Sequence, residues 1–128
     1  MLLNVQTAPG EFLDRLTILE IKSERIHDAV KLANVRRELE LLRSNWAASP
    51  LSQRDVSRLV ADLKAVNEAL WEIEDRIRRK EAERKFDSDF IELARSVYRT
   101  NDRRAAIKRE LNVALGSEIL EEKSYTPY

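Results

Sequence analysis

Residues 67–81 read NEALWEIEDRIRRKE. An α-helix turns by about 100° per residue. With Leu63 set at zero, Leu70, Ile77 and Val66 fall between about −20° and −60°. Asn67, Glu74, Arg78 and Glu81 fall between about 0° and +60°, on the same apolar face. Glu68, Glu72 and Arg79 point away, as ordinary surface charges do. The stretch is therefore a helix whose buried side turns polar along its length.

Two other segments repeat that pattern. Around Leu16, flanked by Phe12 and Leu19, the positions of Ser23, Glu20 and His27 fall within about 40° of the stripe, with Glu24 at its edge. Around Ala94, flanked by Phe90, Val97 and Tyr98, the positions of Asn101, Lys108 and Asn112 do the same. A fourth stripe, Leu32, Val35, Leu39, Leu42 and Trp46, has no polar intruder. A buried polar group left without a partner costs about 1–3 kcal/mol. Polar positions on three helices must therefore find one another, water or a ligand. Helical bundles build binding sites from side chains on facing helices in this way.

The chain totals fit long helices. Charged residues make up 36% of the 128 and hydrophobic ones 43%, with two glycines and three prolines. The length suits one domain, 1–128. The absence of cysteine excludes disulfides, thiolate catalysis and cysteine-based metal sites. No apolar run approaches the roughly 18 residues of a membrane span, and MLLNVQTAPGE lacks a signal-peptide pattern. A cytoplasmic protein is the expectation.

Punctuation divides the chain into four or five helices. Pro9 suits a first helical turn, with Thr7 as a candidate cap. The first helix is expected over 9–27, and Asp28 caps a second that ends near Trp46. AASPLS at 47–52 is the clearest break, and Ser52 with Asp55 forms a box-like start for a third helix to about Arg84. FDSD at 86–89 starts a fourth, which TND at 100–102 bends or restarts and Gly116 stops. The expected architecture is an all-α antiparallel bundle with a short extended N-terminus and a partly exposed tail, 117–128. Dimerisation through the longest helix pair is an open possibility of this design.

Specific chemistries find little support. Glu24-Arg25-Ile26-His27 has the E-x-x-H spacing of di-iron bundles, but such a site needs two and the chain has one histidine. Glu72-Ile73-Glu74-Asp75 supplies the E-x-x-D of helical nucleotide pyrophosphohydrolases, which hold magnesium, but the preceding E-x-x-E is absent at the right distance, and Glu20 and Glu24 have the wrong spacing. With glycine only at 10 and 116, no phosphate-cradling loop exists. Residues 76–109 carry 12 basic and 6 acidic side chains, enough to attract an anion or an acidic partner. Interleaved acids argue against nucleic acid.

PGEFLDRLTILEIKSERI (9–26), KLANVRREL (31–39), LWEIEDRIRRKE (70–81) and FIELARSVYRTNDRRAAIKRELN (90–112) together resemble an uncharacterised bacterial family of small helical proteins. Asn67 to Asp75, N-x-x-L-W-x-x-E-D, is also similar to a stretch in a second uncharacterised helical family. The first resemblance covers about residues 9–125 and carries no activity. It implies motif positions at Lys22, Glu24, Asn67, Trp71, Glu74, Asp75, Arg78, Asn101, Asp102 and Lys108, and an association with cell-surface polysaccharide and glycosyltransferase functions. The expectation is an accessory protein that binds a polar or anionic ligand, or a protein partner. The alternatives are a magnesium-dependent enzyme on a phosphate-containing metabolite and a purely structural helical protein. The candidate ligand-binding residues are Glu20, Glu24, Asn67, Glu74, Arg78, Tyr98, Asn101 and Lys108. Arg78 and Lys108 would hold an anion, and the carboxylates a cation or a hydroxyl.

Overall fold

A computed structural model describes residues 1–128. Four helices follow one another: α1 Pro9–Arg25, α2 Ala29–Ala48, α3 Ser57–Ala82 and α4 Ser88–Ala114. There is no strand. Residues 1–7 have no regular structure and lie exposed.

The helix ends follow local chemistry, with three departures from the expected boundaries. Asp28 caps α2 by accepting from the Lys31 N–H, as expected, and within FDSD it is Asp87, not Ser88, that caps α4, by accepting from the Phe90 N–H. Ala8, not Thr7, sits at the cap of α1, and no side chain bonds there; Pro9 in the first turn leaves one donor fewer to satisfy. Ser52 does not start α3. Ser49 instead caps a short 3-10 helix, Pro50–Gln53, and α3 begins five residues later, where Asp55 accepts from the Ser57 N–H and hydroxyl. α4 runs through residues 100–102 without a break. Arg84 and Gly116 follow α3 and α4 in the left-handed region, φ 55° and 65°. In each case the next N–H reaches back to the helix, Lys85 to Lys80 and Ser117 to Asn112.

α1 is the central element. It packs antiparallel to α2, with Phe12 and Trp46 stacked at 6.1 Å and Arg15 paired to Glu38. Its other side lies on the α3–α4 hairpin. The N-terminal half bonds to α4, through Gly10 to Asn112 and Glu11 to Lys108. The C-terminal half bonds to α3, where Lys64 meets Glu20 and Glu24, and Arg25 meets Glu68 and Glu72. α1 thus passes from α4 towards α3 as it runs. Leu13, Leu16, Leu19, Leu39, Leu42, Leu63, Leu111 and Leu115 form the core at the end where all four helices meet.

α1 stops at Arg25, whereas α3 and α4 run on as a two-helix arm. Within 71–99 only Leu93 is buried. Glu74, Arg78 and Glu81 share a helical face with Leu63, but no helix covers that face so far along α3. They are exposed for that reason, not because the helix is rotated.

Candidate functional site

Asp14 is the hub of the polar interior. Its side chain is 2% exposed. Oδ1 accepts from Asn67 Nδ2 at 2.9 Å and from Arg104 Nε at 2.9 Å, and Oδ2 accepts from an Arg104 Nη. Asn67 Nδ2 also donates to Thr17 Oγ1 at 3.1 Å, and the Thr17 hydroxyl donates to the Asp14 carbonyl at 2.8 Å. Lys108 Nζ stands 3.9 Å from Asp14, 2.6 Å from Glu11 and 3.5 Å from Glu121. No buried side-chain nitrogen or oxygen lacks a partner. Three helices thus converge on one carboxylate, and each group that burial desolvates is matched.

The charges respond to this enclosure. Arg104 is held above the ordinary arginine range, first by its hydrogen bond to Asp14. For Lys108 burial is the largest influence and pulls its pKa down. The hydrogen bond to Glu11 and the charges of Asp14, Glu11 and Glu121 together outweigh it, so the ammonium ends above its ordinary value.

Beside the hub, where α1 diverges from α4 over α3, lies a cleft of about 450 Å³. That volume suits a small ligand. Leu70, Trp71, Glu74, Asp75 and Arg78 of α3 line it, with Ile18 and Ile21 of α1. Asn67 and Arg104 line its inner end. Arg104 uses Nε and one Nη on Asp14, so the N–H donors of its other Nη have no side-chain acceptor. Glu74 and Arg78 pair with each other at the mouth, 2.9 Å apart, 54% and 81% exposed. The lining therefore combines an apolar wall, an indole, two carboxylates and two guanidinium groups.

Of the eight expected ligand-binding residues, Asn67, Glu74 and Arg78 line this cleft, and Lys108 stands beside Asp14 behind it. Glu20 and Glu24 lie elsewhere, paired with Lys64 where α1 crosses α3. Tyr98 and Asn101 are not in the lining either. Tyr98 packs edge-on against Tyr128, 4.9 Å between ring centres, and Tyr128 donates to Asp102. Asp14 and Arg104, the centre of the network, escaped the sequence reading, and so did the place of Asp75 in the cleft. Asp75 lies about 120° from Leu63 on the helical wheel, but the cleft reaches round α3 far enough to include it. Asp14 had one signal: Ile18 and Ile21 lie outside the Leu16 stripe, so α1 is apolar on more than one side. Nowhere do three aspartate, glutamate or histidine side chains come together as a metal site.

The fold and site define an all-α protein with a salt-bridged central helix and an open, mixed-polarity cleft. The chain belongs to a family of unknown function, DUF6165, whose model matches residues 3–128. No curated protein and no solved structure matches it. No helix is long and apolar enough to cross a membrane.

Proposed function

We propose that the protein is a cytoplasmic binding protein whose cleft takes a polar, anionic, hydroxyl-bearing ligand of the sugar-phosphate class. The observation that carries this reading is the free end of Arg104. Asp14 clamps that guanidinium in place, and Arg104 lines the cleft together with Trp71. A fixed guanidinium suits a phosphate or carboxylate. An indole offers an apolar face to the C–H side of a sugar ring, and the Glu74 and Asp75 carboxylates accept from hydroxyls. Arg78 is exposed enough to leave Glu74 and close over the ligand. A role as an accessory in envelope glycan synthesis agrees with this ligand class and rests on the family resemblance drawn from the sequence.

A thermal-shift panel tests the proposal, with glucose 1-phosphate, glucose and inorganic phosphate as probes. The sugar phosphate should stabilise the native protein more than either part alone, and Arg78→Gln with Trp71→Ala should abolish that gain. Equal stabilisation of native and variant protein, or none by any probe, would exclude the cleft as the site.

A further inference from the structure

After α4 the chain turns back on itself. Gly116, at φ 65°, reverses it, and residues 117–128 return along α4 without regular structure. Glu121 stands 3.5 Å from Lys108, and Glu122 stands 3.3 Å from Arg109. Further on, the Tyr128 ring packs edge-on against Tyr98, and its hydroxyl donates to Asp102. The tail therefore runs antiparallel to α4, from residue 109 back to residue 98.

Side chains alone hold it there. No backbone hydrogen bond joins 118–128 to the helices, and every one of those residues is exposed. A gap of about 230 Å³ stays open beneath the tail, between Ala105 and Ala106 of α4 and residues 121–123. An irregular segment loses conformational entropy when it is held, and exposed ion pairs return little of it. The tail is thus seated on α4, not built into the core. It can leave without breaking a helix or opening the interior.

Charge and shape specify what fits this seat. Residues 98–112 carry five basic and two acidic side chains, and residues 117–128 carry three acidic and one basic. Opposite net charges select an acidic segment. Tyr98 and Asp102 add a receptor for a phenol, with a ring to pack on and an acceptor for the hydroxyl. Because only side chains are read, an extended segment with two adjacent glutamates and a tyrosine six residues later makes the same contacts.

We infer that this face of α4 is a docking surface for an extended, acidic, tyrosine-bearing peptide. The tail is its resident occupant, a strap that a partner's segment of the same chemistry displaces. Tyr98, Asp102, Lys108 and Arg109 are absent from the cleft lining, so this surface and the ligand proposal stand or fall separately. A short tether presents its own ligand at about millimolar concentration. The native chain therefore resists a free competitor until the competitor reaches that range.

The test titrates the isotope-labelled full chain with the synthetic peptide SEILEEKSYTPY and follows the amide resonances. Glu121→Lys, Glu122→Lys and Tyr128→Ala together release the strap by changing exposed tail residues only, and helical circular dichroism should not change. In that variant the amides of 98–112 should shift and saturate at a peptide concentration about tenfold or more below that needed for the native chain. Adding Tyr98→Ala and Arg109→Glu, at exposed positions of α4, should abolish the response. The inference is overturned by half-saturation at the same concentration in native and released protein, by shifts confined to other surfaces, or by no shift in either at millimolar peptide.

Discussion

The carboxylate of Asp14 and the guanidinium of Arg104, ninety residues apart in sequence, meet through both carboxylate oxygens and tie the first helix to the last. Asp14 is almost fully enclosed and Arg104 is 29% exposed. Desolvation costs such a pair much of its Coulomb energy, so its net contribution is small, while removing one partner is expensive. Asp14→Ala leaves two cations, Arg104 and Lys108, facing a void. The expected loss is about 3 kcal/mol, at the low end for buried pairs because Arg104 reaches water. Urea unfolding measures it. Asp14→Leu with Arg104→Met should recover most of the loss, since the pair is then replaced and not broken.

The join between α1 and α4 also depends on a missing side chain. The Gly10 N–H donates to Asn112 Oδ1 at 2.7 Å. A Cβ at residue 10 would stand 2.5 Å from the Lys108 carbonyl oxygen and 2.7 Å from Asn112 Oδ1. The carbonyl belongs to a helix and does not move cheaply. Gly10→Ala should cost about 2 kcal/mol through overcrowding, although alanine is otherwise the better helix former. A melting temperature equal to that of the native protein would show that α1 can shift freely against α4.

Lysine titration sets the alkaline limit. Lys108 and Lys64 both have folded-state pKa values above the ordinary one; for Lys64 the leading cause is the Glu24 hydrogen bond. A raised folded value means that the unfolded chain releases the proton first. The stabilisation is therefore complete below the ordinary lysine value of about 10.4 and disappears as pH rises through the folded values. Thermal melts across the alkaline range should show falling stability above about pH 10.4. Lys108→Met should flatten that fall, and an unchanged slope would remove Lys108 as a contributor.

Glu74 and Arg78 separate binding from folding. Their pair is exposed at the cleft mouth, and such pairs contribute between about 0 and 1 kcal/mol. Glu74→Met should leave the melting temperature close to native while weakening ligand binding. A loss of several kcal/mol would place Glu74 in the structural network with Asp14.

The fold was legible where local chemistry acts alone. Asp28, Asp87 and Gly116 marked their helix ends because a cap or a left-handed residue works within one turn. Ser52 misled because Ser49 and Pro50 use the same residues for a 3-10 turn. The site was legible only in part because a helical wheel assumes one buried stripe. α1 has three neighbours and is buried from Leu19 round to Asp14, an arc of about 220°. A carboxylate opposite Leu16 is thus interior, and a single stripe places it outside. On α4 the buried residues Leu93, Thr100 and Leu111 centre about 100° from Ala94, and only Asn112, near the end that α1 covers, is buried at the angle of Ala94 itself. Tyr98 and Asn101, read as facing inward from Ala94, consequently stand away from the cleft. Helix length mattered as much. Glu74 and Arg78 lie on the right face of α3 but beyond the end of α1, which turns a would-be interior into an open cleft.

The most direct test of the cleft is a titration of isotope-labelled protein with glucose 1-phosphate, followed by amide and indole N–H resonances. The Trp71 indole and the amides of residues 67–78 should shift together and saturate, and Arg78→Gln should raise the dissociation constant about tenfold, the loss of one charge-assisted hydrogen bond. Shifts confined to other surfaces, or unaltered by Arg78→Gln, would contradict a ligand site built on Trp71 and Arg104.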